Sequence, residues 1–114
     1  MPKNVVKWSA FSGRKKNSII SASKVLRSIG NERRLMIVCY LLEKERHVSE
    51  LEGLIGISQS ALSQHLARLR RDKLVQTRRD AQCVYYSIAE DREDDIASVV
   101  SVLCGVGKQR TAAA

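Results

Sequence analysis

Apolar residues recur every three or four positions between Asn17 and Asp72, which is the spacing of one face of an α-helix. Stop and start signals divide this part of the chain into four helices. Gly30 ends the first helix, which begins at Asn17, and Asn31 can cap the second. The pattern therefore predicts that residues 17–72 are mainly helical.

The next three predicted helices differ in their apolar surface. The second, within ERRLMIVCYLLEKE, is apolar on most sides, which is typical of a central helix. Ser49 and Glu52 form a capping box, so a short third helix is predicted to begin at Ser49 and to end at Gly56. Ser58 can cap the fourth helix, which runs to about Asp72. The third and fourth helices, joined by a tight turn, predict a helix-turn-helix unit.

The apolar spacing changes to strict alternation after Lys73. Two alternating runs, VQTR and VYYSI, are separated by the turn residues 80–82 and predict a β-hairpin. Helical spacing returns from Glu90 to Cys104, and the acidic residues that open this segment suit the N-terminus of a fifth helix.

Four helices, a hairpin and a fifth helix predict a mainly α fold with a β-hairpin wing, that is, a winged helix-turn-helix. We expect this domain to cover residues 17–107, with a basic flexible tail at 1–16 and a flexible tail at 108–114. A chain of 114 residues buries a modest fraction of its surface, so a homodimer is expected.

The fourth helix carries a polar edge within SQSALSQHLARLRRDKLV, residues 58–75. Gln59, Ser60, Ser63 and Gln64 fall on its first two turns, opposite its apolar positions. Amide side chains can pair bidentately with adenine, and serine hydroxyls can bond to bases or phosphates. We therefore predict that these four residues contact base edges of double-stranded DNA. The alternative is a surface helix of an ordinary helical domain.

A basic block follows this edge. The chain has 20 Lys and Arg residues against 12 Asp and Glu, a net charge of +8, and residues 1–16 hold five of the basic residues and no acid. Between Arg68 and Arg79 only Asp72 is acidic, which indicates a polyanion as the partner. Phosphate or supporting contacts are predicted for Ser58, His65, Arg68, Arg70, Arg71, Lys73, Arg78 and Arg79.

Other classes of protein are disfavoured. There is no apolar run long enough to cross a membrane and no signal-peptide core, so a cytoplasmic protein is expected. Cys39, Cys83 and Cys104 are an odd, widely spaced set without a CxxC pair, so no disulfide framework is expected. No nucleophile–base set surrounds His47 or His65, so neither an enzyme nor a cofactor is expected.

The stretch ISQSALSQHLARLRRDKLVQTRRDAQCVYYSI resembles the recognition helix and wing of the ArsR-type winged-helix repressors. The resemblance extends from about residue 22 to about residue 104 and includes NERRLMIVCYLL. It implies a homodimer joined mainly by the first and last helices, which binds a pseudo-palindromic operator and releases it when an effector acts. The family's base-contacting positions match the four polar residues of the fourth helix.

The resemblance also bears on the effector. One metal site of the family places cysteines at the start of the third helix, where this chain reads RHVSEL and offers only His47. Another uses histidine with carboxylates on the last helix, which has no histidine here. We therefore expect no metal site and regard His47 as an exposed turn residue.

Cys39 and Cys104 match the two cysteines of the dithiol branch of this family, the BigR, SqrR and HlyU type. That branch responds to reactive sulfur species or oxidants by linking the two sulfurs, directly or through extra sulfur atoms. The resemblance implies the same redox switch here, with Cys104 as the accessible first reactant because Cys39 lies in an apolar run. Cys83, in the wing, is expected to face solvent without a role.

Two alternatives stay open. The wing also resembles that of the NolR type of rhizobial nodulation repressors, which implies an effector-independent repressor with purely structural cysteines. A helical dimer that serves as a protein-binding adaptor without DNA is the third interpretation. Binding that weakens steeply with salt would favour DNA over an adaptor.

Overall fold

The structure is a computed structural model that describes residues 7–105. Residues 1–6 of the expected N-terminal tail and the expected tail at 108–114 lie outside the described residues. The α-helices are α1 (Gly13–Ile29), α2 (Glu32–Glu43), α3 (Val48–Ile55), α4 (Gln59–Arg71) and α5 (Glu93–Cys104), and the strands are β1 (Arg46–His47), β2 (Val75–Asp80) and β3 (Cys83–Ile88). Short 3-10 turns lie at Trp8–Ala10 and Glu90–Arg92. The predicted winged helix-turn-helix order is confirmed.

Helix α2 is the centre of the core. It contacts α1, α3, α4, α5 and β3, and its Ile37 and Val38 are fully buried. Because neighbouring elements contact it on several sides, its nearly continuous apolar sequence is at least partly buried. No helix among residues 7–105 is long and apolar enough to cross a membrane.

Four predicted helix boundaries are confirmed. Gly30 is the C-cap of α1, and the Asn31 side chain accepts hydrogen bonds from the backbone N–H groups of the first turn of α2. Gly56 ends α3 with φ at 76°, a left-handed conformation that glycine adopts without strain. The Ser58 hydroxyl caps α4 by accepting from the backbone N–H of Ala61 at 3.2 Å.

The predicted starts of α1 and α3 are wrong. Helix α1 begins at Gly13 instead of Asn17, because the Ser12 hydroxyl accepts a hydrogen bond from the backbone N–H of Lys15 at 3.2 Å. Helix α3 is capped by His47, whose Nδ1 accepts from the backbone N–H of Ser49 at 3.1 Å, so the predicted capping box does not form.

The wing is a three-stranded sheet with β3 in the middle. Strands β2 and β3 form the predicted hairpin, from the pair Val75–Ile88 to the pair Asp80–Cys83 at its tip. The unpredicted strand β1 pairs His47 with Tyr85, so His47 is a half-buried strand residue instead of an exposed turn residue. A two-residue strand carries too little alternation to be seen in a sequence.

The last helix also begins later than predicted. A 3-10 turn occupies Glu90–Arg92, and α5 follows from Glu93. Helix α5 ends at Cys104, as predicted.

One flank of α4 faces α1 and α2. His65, Arg68 and Asp72 follow one another at intervals of three and four residues, so they share this flank, which we call the inner flank of α4. The Nδ1 atom of His65 lies 3.4 Å from Nη1 of Arg34 on α2. Burial lowers the pKa of His65, and the charges of Arg34 and Arg33 lower it further. A neutral His65 can accept the hydrogen bond from Arg34.

We expect His65 to make the fold less stable in mild acid. Because its pKa is lower in the folded chain, the unfolded chain binds the proton more readily. The stability that neutral His65 contributes is complete above the unfolded pKa of about 6.5 and is lost as the pH falls towards the folded value. Between about pH 7.5 and about pH 5.5, the free energy of unfolding should therefore fall less in His65→Gln than in the wild type.

Denaturant unfolding at the two pH values measures this difference. An equal loss in His65→Gln and the wild type would show that the contact with Arg34 does not depend on a neutral imidazole.

Candidate nucleic-acid interface

The polar edge of α4 faces away from the core. Gln59, Ser60, Ser63 and Gln64 are all exposed, whereas the leucines of the opposite face, Leu62, Leu66 and Leu69, are at most 2% exposed. Burial of these leucines fixes the rotation of the helix, and the 3.6-residue period then turns the four polar side chains outward. Two amides and two hydroxyls thus form a continuous surface of hydrogen-bonding groups.

Ser58 lies at the start of this edge. Its hydroxyl accepts the capping hydrogen bond of α4 and lies 3.3 Å from the Ser60 hydroxyl. Ser58 therefore supports the edge by fixing where the helix begins.

The end of α4 turns sharply towards the wing. The backbone N–H of Leu74 donates to the carbonyl of Leu69 at 3.0 Å, and the N–H of Lys73 donates to that of Arg70 at 2.9 Å. These two bonds form a Schellman motif, with Lys73 in the left-handed conformation at φ 63°. The motif exposes the Lys73 side chain between α4 and the wing.

The predicted phosphate-binding residues divide into those without and those with a hydrogen-bonded acidic partner. Arg70, Lys73 and Arg79 are exposed, and Arg71 is exposed with a loose contact of 3.7 Å to Asp72. An open groove of about 470 Å³ lies between α4 and β3, lined by Ser63, Arg70, Arg71 and Tyr86 among others. The groove brings the polar edge and the basic residues onto one surface.

Arg78 is held by an acidic partner on the wing. Its Nε and Nη2 atoms donate to the two carboxylate oxygens of Glu45, each at 2.8 Å. The guanidinium also lies 4.5 Å from the centre of the Tyr85 ring. The hydrogen bond from Arg78 lowers the pKa of Glu45, so this pair stays charged at neutral pH. Arg78 thus fixes the wing against the segment before β1.

Two further predicted contacts point inward. The Nε atom of Arg68 donates to the Asp72 carboxylate at 2.8 Å, and His65 contacts Arg34. Both belong to the inner flank of α4 instead of its polar edge. The spacing of Arg68 from Asp72 is visible in the sequence. The sequence does not show that Arg34 contacts His65 or that Glu45 pairs with Arg78, because the two members of each pair are distant in the chain.

The predicted thiol pair is brought together. Helices α2 and α5 pack against each other, with Cys39 half-buried and Cys104 exposed. Burial raises the pKa of the Cys39 thiol, and the neighbouring Cys104 thiol and Glu43 carboxylate raise it further. Cys83 is half-buried in β3, so the expectation that it faces solvent freely is not met. No group of three possible metal ligands occurs among residues 7–105.

Helices α1 and α5 also expose apolar surface. Leu26 on α1 is 50% exposed, and Val102 and Leu103 on α5 are 79% and 74% exposed. An open groove of about 950 Å³ runs between these two helices and is lined by both polar and apolar side chains. Large apolar side chains exposed on neighbouring helices are a feature of interaction surfaces.

Comparisons with known proteins identify the family. The family model "Bacterial regulatory protein, arsR family" matches residues 31–77. The transcriptional activator HlyU of Vibrio cholerae is 54% identical over 74 residues, which are 65% of this chain and 68% of HlyU. The nodulation protein NolR of Rhizobium meliloti is 44% identical over 84 residues, 74% of this chain and 69% of NolR.

Solved structures agree with these relatives. Reduced HlyU from Vibrio cholerae superposes with a TM-score of 0.72 at 44% identity, covering 82% of this chain and 99% of that one. A homodimeric winged helix-turn-helix DNA-binding domain from Mycobacterium bovis, described as a possible ArsR-family transcriptional regulator, gives a TM-score of 0.69 at 32% identity, covering 82% and 88%. The chain therefore belongs to the ArsR family of bacterial regulatory proteins, and it is a DNA-binding transcriptional regulator and not an enzyme.

Proposed function

We propose that this protein is a repressor that binds a pseudo-palindromic operator as a homodimer and leaves it when Cys39 and Cys104 become linked. The observation that carries the proposal is the meeting of two thiols between α2 and α5 in a fold whose α4 presents an exposed polar edge. The first feature supplies a chemical signal, and the second supplies the surface on which it acts.

The exposed apolar side chains of α1 and α5 support a homodimer. Leu26, Val102 and Leu103 would leave water if a second copy covered this face. The related Mycobacterium bovis domain is a homodimer. A twofold dimer holds two copies of α4, and operator symmetry would mirror that of the protein.

The polar edge of α4 supports direct reading of bases. Gln59, Ser60, Ser63 and Gln64 would meet base edges in the major groove, and Arg70, Arg71, Lys73 and Arg79 would meet the flanking phosphates. Arg68, which is paired with Asp72, and Arg78, which is paired with Glu45, would support this surface by fixing α4 and the wing.

Gln64→Ala should cost on the order of 1–3 kcal/mol of binding free energy at one base position, because the alanine cannot make a bidentate contact. The measurement is the affinity for a duplex that the wild type enriches from a randomised pool, and for its single-base variants. Gln76→Ala, an exposed glutamine on the wing, is the matched control and should keep the base preference. If Gln64→Ala also kept it, the reading edge would lie elsewhere.

The thiol chemistry follows from the exposure of the two cysteines. The Cys104 thiolate attacks hydrogen peroxide, which gives a sulfenic acid and hydroxide, and the Cys39 thiol then displaces water to form the disulfide. With an inorganic polysulfide, Cys104 takes one sulfane sulfur and expels the shortened polysulfide, and Cys39 then expels hydrosulfide. If both cysteines carry a sulfane sulfur, loss of hydrosulfide gives a trisulfide bridge. The raised pKa of Cys39 makes it the slower nucleophile at neutral pH.

Peroxide or polysulfide should therefore weaken DNA binding roughly 5–150-fold, which corresponds to a coupling of about 1–3 kcal/mol. Intact-mass analysis and a DNA shift on the same samples measure linkage and affinity together. A disulfide lowers the mass of the reduced protein by that of the two thiol hydrogens. A trisulfide is heavier than the disulfide by the mass of one sulfur atom. Cys39→Ser and Cys104→Ser should not respond, whereas the matched control Cys83→Ser should respond like the wild type. A full response in Cys39→Ser would disprove the switch.

An effector-independent regulator is the second candidate. The half-burial of Cys39 and its raised pKa suit a structural cysteine, and NolR is among the similar proteins. In that case the DNA shift would be the same before and after oxidation, even where mass analysis finds a bridge.

A further inference from the structure

The inner flank of α4 joins three helices through a half-buried polar cluster. Arg34, at the start of α2, donates from Nε to the carbonyl of Ser28 near the end of α1, at 2.5 Å. Its Nη1 atom lies 3.4 Å from His65 on α4. On the same flank Arg68 donates to Asp72 at 2.8 Å. We call these five residues the joint.

Ser28 is the least satisfied member of the joint. Its side chain is fully buried, and its hydroxyl makes no hydrogen bond of standard geometry among the described residues. The hydroxyl nevertheless lies close to the Asp72 carboxylate. Burial alone would raise the pKa of Asp72, but the hydrogen bond from Arg68 and the nearby Ser28 hydroxyl lower it overall. A small movement of α4 relative to α1 would complete or lose the contact between Ser28 and Asp72.

The joint contains two positively charged guanidinium groups and one carboxylate that compensates them. Burial lowers the pKa of Arg34, and the repulsion between Arg34 and Arg68 lowers it further. Asp72 is the acid that compensates them on α4, and it also forms the C-cap of the helix that carries the polar edge. The position of Asp72 therefore affects the direction in which α4 points.

We propose that the joint sets the angle between α1 and the recognition helix, and that Ser28 and Asp72 are positioning residues for sequence-specific DNA binding. This inference rests on the proposed role of α4 as the reading helix. Neither residue lies on the polar edge, so each acts through the orientation of α4. Since α1 lies on the expected dimer face, the joint would also make the angle of the recognition helix sensitive to how the two copies meet.

Asp72→Asn is the principal test, with Asp80→Asn as its matched control. Each change removes one negative charge close to an arginine, but Asp80 lies on the wing, 4.0 Å from Arg78 and outside the joint. The probes are the duplex that the wild type enriches from a randomised pool and a scrambled duplex of equal length. The measured quantity is the ratio of the two affinities, at a temperature where circular dichroism shows each variant folded.

Asp72→Asn should lower this ratio about tenfold, which is comparable to the loss of one good base contact. Asp80→Asn should leave the ratio within about twofold, although both variants gain general attraction to DNA. A merely structural role for Asp72 would lower the melting temperature and leave the ratio unchanged, and that result would overturn the proposal. Tighter binding of both duplexes by the same factor, with a steeper salt dependence, would also overturn it, because Asp72 would then only hold Arg68 away from phosphates.

Ser28→Ala gives an independent test if Asp72→Asn does not fold. Removal of a buried, poorly satisfied hydroxyl should leave stability equal or higher. The proposal expects the affinity ratio to fall severalfold nonetheless, whereas an unchanged ratio would overturn it. If the wild type enriches no duplex from the pool, the reading role of α4 fails, and that outcome is distinct from failure of the joint.

Discussion

The outward position of the polar edge of α4 depends on the burial of the opposite face of this helix against the core built around α2. Leu62, Leu66 and Leu69 are at most 2% exposed, and each such side chain contributes on the order of 1.5–3 kcal/mol when it leaves water. Rotation of α4 by one residue would exchange Leu62 for Ser63 in the core and leave a hydroxyl without water. The same apolar contacts that stabilise the domain therefore decide which polar groups face outward.

The distribution of charge follows from this rotation. The outward side of α4 and the adjoining turn carry Arg70, Arg71 and Lys73, which remain available to an anionic partner. The inner flank carries Arg68, which Asp72 already compensates. On the wing, Arg78 is bound by Glu45 while Arg79 is exposed. A basic residue already paired with a carboxylate gains less from a phosphate, so the count of basic residues in the block overstates its attraction for DNA.

Helix boundaries could be predicted from the sequence where the capping residue and its backbone partners are close in the chain. Asn31 and Ser58 bond to backbone groups within three residues, and Gly56 adopts a left-handed conformation, so each boundary was visible in the chain. The cap at His47 was not, since histidine is an unusual N-cap and Ser49 offered a more familiar signal.

Contacts between distant residues were beyond local patterns. Arg78 and Glu45 are 33 positions apart, and Arg34 and His65 are 31 apart. The prediction of base-contacting residues used only the period of one helix. The prediction of phosphate contacts needed to know which arginines have acidic partners, and for Arg78 the packed fold alone supplies that information.

Helix α2 connects the proposed signal to the proposed reading helix. Cys39 and Arg34 are five residues apart on it, a rise of about 7.5 Å along a rigid rod. A bridge from Cys39 to Cys104 would change how α5 sits against α2, and α5 lies beside α1 along the groove that a second copy would cover. Movement of α1 relative to α4 would in turn change the distance from Ser28 to Asp72. Arg34 holds the Ser28 carbonyl to the start of α2 and so links this distance to α2. These contacts would give the proposed switch a physical route from the sulfur atoms to the angle of α4, and each of them can be tested separately.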